Sequence, residues 1–172
     1  MKRSAYAAPW GRRVWWITLG MVAFASTAAV ALPLLAGRPG NRAALLLPAA
    51  APFLIVAGTS LFAIRRYEVS DDTLIVVRSF WVNQLPLAGL ESLAADPKAC
   101  KGAWKTMGND GLFAMHGRFR SRRLGSFQAF VTNPENGVIL RWSNRTVVVS
   151  PEHPARFVVD IERRLRRLKE GR

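Results

Sequence analysis

Residues 127–150, FQAFVTNPENGVILRWSNRTVVVS, hold three runs of branched and aromatic residues separated by two clusters of turn formers. Phe127 to Thr132, Val138 to Trp142 and Thr146 to Ser150 have the length and composition of strands. Asn133-Pro134-Glu135-Asn136-Gly137 and Ser143-Asn144-Arg145 divide them, so the spacing predicts an antiparallel meander. Asn136-Gly137 suits a turn that needs positive φ at adjacent positions.

The residues after this stretch predict a helix over about 151–169, with Ser150 as N-cap, Pro151 in the first turn and a basic end. Phe157, Ile161, Leu165 and Leu168, with Val158 beside them, recur every three or four residues and form one apolar stripe. The basic residues fill the rest of the circumference. Upstream, Tyr67 to Ser70 and Thr73 to Arg78 flank Asp71-Asp72 as a hairpin. Phe80-Trp81-Val82 and Leu90 to Ala94 are further strand candidates, with Pro86 at an edge. From Asp96 to Asp110 the pattern fades into lysines and glycines around Trp104 and reads as loop. Strands followed by one amphipathic helix place this region in the α+β, mainly β class, a curved sheet or barrel plugged by the helix.

Ahead of these strands lie two runs without an acidic or basic residue, Val14 to Ala36 and Ala43 to Ile64. Each exceeds the roughly 20 residues that cross a bilayer, and Gly37-Arg38-Pro39-Gly40-Asn41-Arg42 between them breaks both helices. They predict a transmembrane α-helical hairpin. A cleaved signal peptide is disfavoured, although Ala29-Val30-Ala31 resembles a cleavage site, because the run is too long and a second follows at once. Pro33, Pro48 and Pro52 predict kinks, and small residues such as Ala25, Ala29 and Gly58 allow close packing within the hairpin or in a homo-oligomer. No ionisable residue lies in either span, which argues against an ion or solute pathway. The expected domains are a basic segment 1–13, the hairpin 14–64 and a soluble module 65–172.

The 172 residues carry a net charge of +14. All eleven acidic residues follow position 64, where nineteen basic residues outnumber them by eight. Lys2, Arg3, Arg12 and Arg13 before the hairpin and Arg65 with Arg66 after it outweigh Arg38 and Arg42 in its loop, which predicts both termini on the cytoplasmic side of an inner membrane. The single cysteine, Cys100, fits that compartment. Asn144-Arg145-Thr146 therefore reads as a turn and not as a glycosylation acceptor.

The residues do not assemble chemistry. His116, His153 and Cys100 have no metal-ligand spacing. Gly108, Gly111, Gly117 and Gly125 lack the lysine and hydroxyl of a phosphate loop, and Ser126 lacks the surroundings of a nucleophile elbow. No catalytic, cofactor or metal residue is expected. Charge is the feature that stands out: Arg118, Arg120, Arg122 and Arg123 lie within six residues around Phe119, and Arg163, Arg164 and Arg167 line the helix. With Arg65 and Arg66 they are the candidates for docking on an anionic surface, each contributing about 1 kcal/mol near anionic headgroups. Nucleic acid uses the same charges but is a poor match for a bilayer-tethered module.

The chain resembles the bacterial pleckstrin-homology-like (PH-like) domain family. The resemblance rests on Asp72-Thr73-Leu74-Ile75-Val76, Leu85-Pro86-Leu87, Gly111 and Gly117, residues 124–132 and Ser150-Pro151. It implies two spans ahead of a seven-stranded, partly open antiparallel barrel closed by a C-terminal helix, with no catalytic residues. Phe130 stands where similar domains carry tyrosine, and Leu112 to His116 replaces a more glycine-rich stretch. Asp71-Asp72 stands where lipid-binding pleckstrin domains present basic residues, which argues against a phosphoinositide site at that turn. The expected function is non-enzymatic: assembly or signalling through a protein partner or the inner leaflet. The alternative is an accessory subunit of a membrane enzyme or transporter that recognises its partner through the hairpin.

Overall fold

The computed structural model describes residues 3–35, 42–110 and 113–170. Two antiparallel hairpins and an added strand form the first sheet: β1 (Ser4–Ala7), β2 (Ile64–Val69), β3 (Thr73–Arg78) and β4 (Val82–Pro86), in that spatial order. The second contains β5 (Leu90–Ala95), β6 (Trp104–Asp110), β7 (Met115–Ser121), β8 (Gly125–Val131), β9 (Val138–Trp142) and β10 (Arg145–Val149), ordered β5-β9-β10-β8-β7-β6. Three helices complete the chain: α1 (Arg12–Leu35), α2 (Arg42–Ser60) and α3 (Pro154–Glu170). The described residues thus form ten strands in two sheets, where the resemblance implied seven.

The sheets face each other across one core. Ile64, Tyr67, Val69, Leu74, Val76 and Leu85 of the first meet Phe130, Val138, Leu140, Val147 and Val149 of the second, and Phe157 and Ile161 of α3 close the cluster. Strand alternation sends Phe119, Phe127, Ala129, Val131 and Val148 to the opposite face of the second sheet. There Ala99, Cys100 and Ala103 cover them. The second sheet is buried on both sides, which is why its central strands read as continuous apolar runs.

Several expectations change in the tertiary structure. The meander gives way to a crossover: β8 and β10 pair in parallel, with Val147 opposite Gln128, and β9 lies outside β10 against β5. Residues 133–137 are accordingly no tight hairpin turn but a 3-10 turn, Pro134–Asn136, and Gly137 has φ −59°. Glycine is required there by proximity, since a Cβ would approach the Asp96 carbonyl oxygen to 2.6 Å. The stretch 96–110 is not all loop. Its second half is β6, which sequence periodicity misses because pairing with β7, and not burial, makes it a strand. Gly108 and Gly117 face each other across that pair with φ of 119° and 120°, and a Cβ on either would lie 2.2 Å from a carbonyl oxygen of the facing strand.

The last helix begins at Pro154, with the first amide bond running from Phe157 N–H to the His153 carbonyl at 3.0 Å. Ser150 is therefore not its N-cap. Its hydroxyl instead receives the Thr132 amide at 2.8 Å and the Asn133 amide at 3.2 Å, inside a buried polar node. The second apolar run also ends early. Thr59 and Ser60 turn their hydroxyls back to the carbonyls of Ile55 and Ala57, α2 stops at Ser60, and Ile64 is already a buried β2 residue. The helix continues through Pro48 and Pro52, and α1 through Pro33. Residues 37–41 of the expected interhelical loop, and Gly111 with Leu112, lie outside the described residues.

The N-terminal segment joins the β-rich domain instead of standing apart from it. Ser4, Ala5, Tyr6 and Ala7 pair with Val69, Glu68, Tyr67 and Arg66, covering the open edge of β2. Glu152 N–H donates to the Ala7 carbonyl at 3.0 Å, and Gly11 N–H donates to the Thr132 carbonyl at 3.0 Å. The domain is consequently built from chain on both sides of the helical hairpin. No periodicity could announce a four-residue strand whose partners, β2 and the end of the chain, lie about sixty residues or more away.

Candidate docking surface

Hydrogen bonds and packing join the helices to the domain. Tyr67 donates its hydroxyl to the Phe130 carbonyl at 2.7 Å and receives the Ser150 amide at 3.2 Å, joining the two sheets. Burial pushes the Tyr67 hydroxyl up to about 12, so it stays neutral. Val14 and Thr18, one turn apart on α1, are buried, and the Thr18 hydroxyl receives the Phe113 amide at 3.4 Å. Ser79 donates to the Ser60 carbonyl at 3.2 Å at the end of α2. Around this junction stand aromatic side chains left in the open: Trp10, Trp15, Trp16 at 62% exposure and Phe80 at 76%. Aromatic residues of this kind favour the boundary between headgroups and acyl chains.

The arginines singled out in the sequence do not form one patch. Arg118 and Arg120 alternate with buried Phe119 along β7 and are exposed, as are Arg122 and Arg123 in the turn that follows. Arg123 is engaged by Asp96, whose carboxyl lies below the ordinary range: burial opposes that shift, but the Lys98 amide and the Arg123 guanidinium outweigh it. Arg65 and Arg66 are exposed on β2, and Arg66 pairs with Glu68 at 2.6 Å. Arg163 and Arg167 are exposed on α3, which packs on β5, well removed in sheet order from Arg118 and Arg120 near the β6 edge.

Arg164 differs from its neighbours. It is 6% exposed and spans Asp71 at 3.2 Å, Asp160 at 3.4 Å and the Ser4 hydroxyl at 2.9 Å. The expectation that it docks on an anionic surface is corrected: its position on α3 points it toward the β2–β3 turn and β1, where it clamps three elements together. Asp71, read as a turn residue, also supplies one of its carboxylates.

A polar group beneath the aromatic collar has no prominence in the sequence. Arg78 continues the inward alternation of Leu74 and Val76 on β3 and is 7% exposed. Its guanidinium carbon lies 5.5 Å from the Trp81 ring centre and 5.1 Å from that of Phe130. Burial lowers its pKa from the ordinary value, a shift that Tyr67 opposes. His116 stacks on Phe62 with ring centres 5.0 Å apart, and Phe62 meets Trp81 edge to face at 5.0 Å. An arginine at an inward strand position, two residues after a buried valine, was the available signal.

Burial, then the positive charge of Arg78, pulls His116 down to about 4. Between pH 6.5 and 4 the unfolded chain therefore binds a proton at this residue that the folded chain refuses, so stability falls as pH drops through that window and levels off below it. The full shift sets a ceiling of about 3 kcal/mol, and solvent screening of a partly buried ring lowers it. Denaturant midpoints at pH 7, 5 and 4 should show this slope, and His116→Gln should flatten it; an equal slope in the variant would assign the acid sensitivity elsewhere.

Among the described residues no cluster of three or more His, Cys, Asp or Glu is placed to hold a metal ion. Comparisons with curated proteins and with solved structures give no match. The family model described as a bacterial PH domain matches residues 65–165, from β2 into the fourth turn of α3, and leaves β1 and the two apolar helices outside the match. That match covers more than half of the chain, which therefore belongs to the bacterial PH domain family.

Proposed function

We propose that this chain is a non-enzymatic, two-span inner-membrane protein that holds its PH domain against the cytoplasmic leaflet to dock a protein partner or the leaflet itself. The observation that carries the reading is the pairing of β1 with β2. Ser4–Ala7 precedes α1, Ile64–Val69 follows α2, and the two are neighbours in one sheet. The chain between them must cross a bilayer an even number of times. Two crossings fit the exposed apolar surface of both helices, which includes Phe24, Val30 and Leu34 on α1 and Phe53, Leu54 and Ile55 on α2.

By length and hydropathy, Val14–Ala31 meets the test for a span among the described residues, while the apolar stretch Ala50–Ser60 is shorter. The whole of α2, with 19 residues, is about 28 Å long, close to the hydrocarbon thickness of about 30 Å. The arginine distribution around the hairpin supports the cytoplasmic side. Arg118 and Arg120, exposed on β7, are the docking residues of choice, since PH domains generally bind lipids or proteins and no carboxylate among the described residues engages these side chains.

Three measurements test the proposal. The protein should stay in the membrane after alkaline carbonate, and a cysteine at exposed Gln128, in a Cys100→Ser background, should be labelled in inside-out vesicles and not in intact cells. Release by carbonate would overturn the two-span anchor, and labelling from outside would reverse the orientation. A photoreactive residue at Arg120 should then crosslink to protein or lipid; a clean blank in native membranes would overturn docking through this strand.

A further inference from the structure

Beneath the aromatic collar, three buried polar atoms find no partner among the described residues. Arg78 Nε, Asn83 Oδ1 and His116 Nδ1 accept or donate no hydrogen bond there, and no described carboxylate pairs with Arg78. Register puts all three on the inward faces of the two sheets. Asn83 is directly opposite Val76, so it shares the interior side with Arg78 two residues on. His116 is directly opposite Phe130, the ring against which the guanidinium lies. Tyr67 is nearby but neutral and supplies no counter-charge.

A guanidinium withdrawn from water without an anion is an expensive arrangement, and its usual remedy is a carboxylate or phosphate held by the planar fork. Here the described residues provide none. Asn83 can present its amide N–H by rotating the side chain, and neutral His116 can present N–H by exchanging tautomers, so both can add donors to the fork.

The position of the group indicates where the anion comes from. Arg78 pairs with Ile64, four residues beyond the end of α2, and Ser79 is bonded to Ser60 of that helix. Phe62 and Trp81, 39% and 38% exposed, form the rim, and Phe80 stands beside them in the open. Apolar rings around a buried cation at the foot of a membrane helix match a phosphate that arrives with acyl chains attached. We propose that Arg78, Asn83 and His116 form a site for the headgroup phosphate of a glycerophospholipid, bound at the helix–domain junction with its chains along Phe62, Phe80 and Trp81. The site lies at the opposite end of β3 from Asp71-Asp72, the turn that the sequence already marked as unsuited to phosphoinositide. This inference rests on the membrane-tethered reading proposed above.

The chain has two histidines, so ring 15N signals of His116 can be followed in the full-length protein in mild detergent, with exposed His153 as an internal control. Dihexanoylphosphatidylglycerol should shift the His116 signals saturably and raise the pH at which that ring titrates, leaving His153 unmoved. Arg78→Met should weaken binding by roughly tenfold or more while the thermal midpoint stays level or rises, because an apolar chain replaces an uncompensated charge. Equal affinity in the variant would overturn the site. Inorganic phosphate giving the same shift at the same concentration would overturn the lipid assignment in favour of a free anion. Should Arg78→Met fail to fold, Arg78→Lys keeps the charge but loses the fork, and unchanged affinity in that variant would overturn the proposal equally. Because the titration is done in detergent, it does not depend on membrane topology; failure of the anchor itself would show in the carbonate extraction.

Discussion

Replacing Phe157 with alanine should lower the unfolding free energy by about 3–5 kcal/mol, a large part of the stability of a small domain. The ring is fully buried where three elements converge. Its centre lies 5.1 Å from that of Tyr6 on β1 and 6.4 Å from that of Tyr67 on β2, edge to face in both cases. Truncation leaves a cavity at the base of α3 and removes the aromatic contacts as well as the buried area. Thermal unfolding in mild detergent should show a midpoint lower by more than about 10 °C. Phe157→Leu, which fills most of the space, should recover more than half of the loss. A midpoint within about 2 °C of the wild type for the alanine variant would mean that α3 does not close the core as described.

Excising residues 3–8 should cost a similar amount, about 3–5 kcal/mol, although these residues lie outside the matched domain. The deletion removes the ladder from Ser4 to Ala7, the Tyr6 hydroxyl bond to Asp160 at 3.1 Å and the Ser4 bond to Arg164. It also uncovers one side of Phe157 and opens the edge of β2 to water and to other chains. Hydrogen exchange gives the sharper measurement. Amides of β2 and of the first turns of α3 should lose protection, while β7 and β8, at the far side of the other sheet, should keep theirs. Unchanged exchange in β2 would show that the N-terminal strand contributes nothing to the domain and would remove the strongest support for an even number of crossings.

How much of this was legible beforehand depended on whether the cause of each feature was local. Thr73 to Arg78, Val138 to Trp142 and the repeat of Phe157, Ile161 and Leu165 were readable because burial on one face writes itself into the residues as a period of two or of 3.6. Their pairing was not. Ser150 reads as a helix cap, and the chemistry of a serine before a proline is the same whether its hydroxyl caps the next helix or collects amides from Thr132 and Asn133. Only the arrival of β8 and Tyr67 beside it decides between those roles. Asn136-Gly137 looked like a hairpin turn for the same reason: glycine is demanded there by the Asp96 carbonyl, forty-one residues earlier. Arg164 could be placed on a basic helix by spacing, but its withdrawal from the surface required Asp71 and Ser4 to meet it.

The docking residues divide along the same line. Exposure of Arg118 and Arg120 follows from their alternation with Phe119, a local pattern. That no described carboxylate pairs with Arg78 does not, because it depends on which residues the second sheet brings opposite, and among the described ones those are Phe130 and His116. By itself the sequence determined two apolar helices, a mainly β module with a closing amphipathic helix, and a strong positive charge, since each is a property of residues near one another in the chain. Tertiary structure alone decided that β1 crosses back to complete the sheet, that β8 and β10 run in parallel, and that the Arg78 guanidinium is buried at the helix junction. Those outcomes are set by contacts between segments far apart in sequence, whose free energy no local window contains.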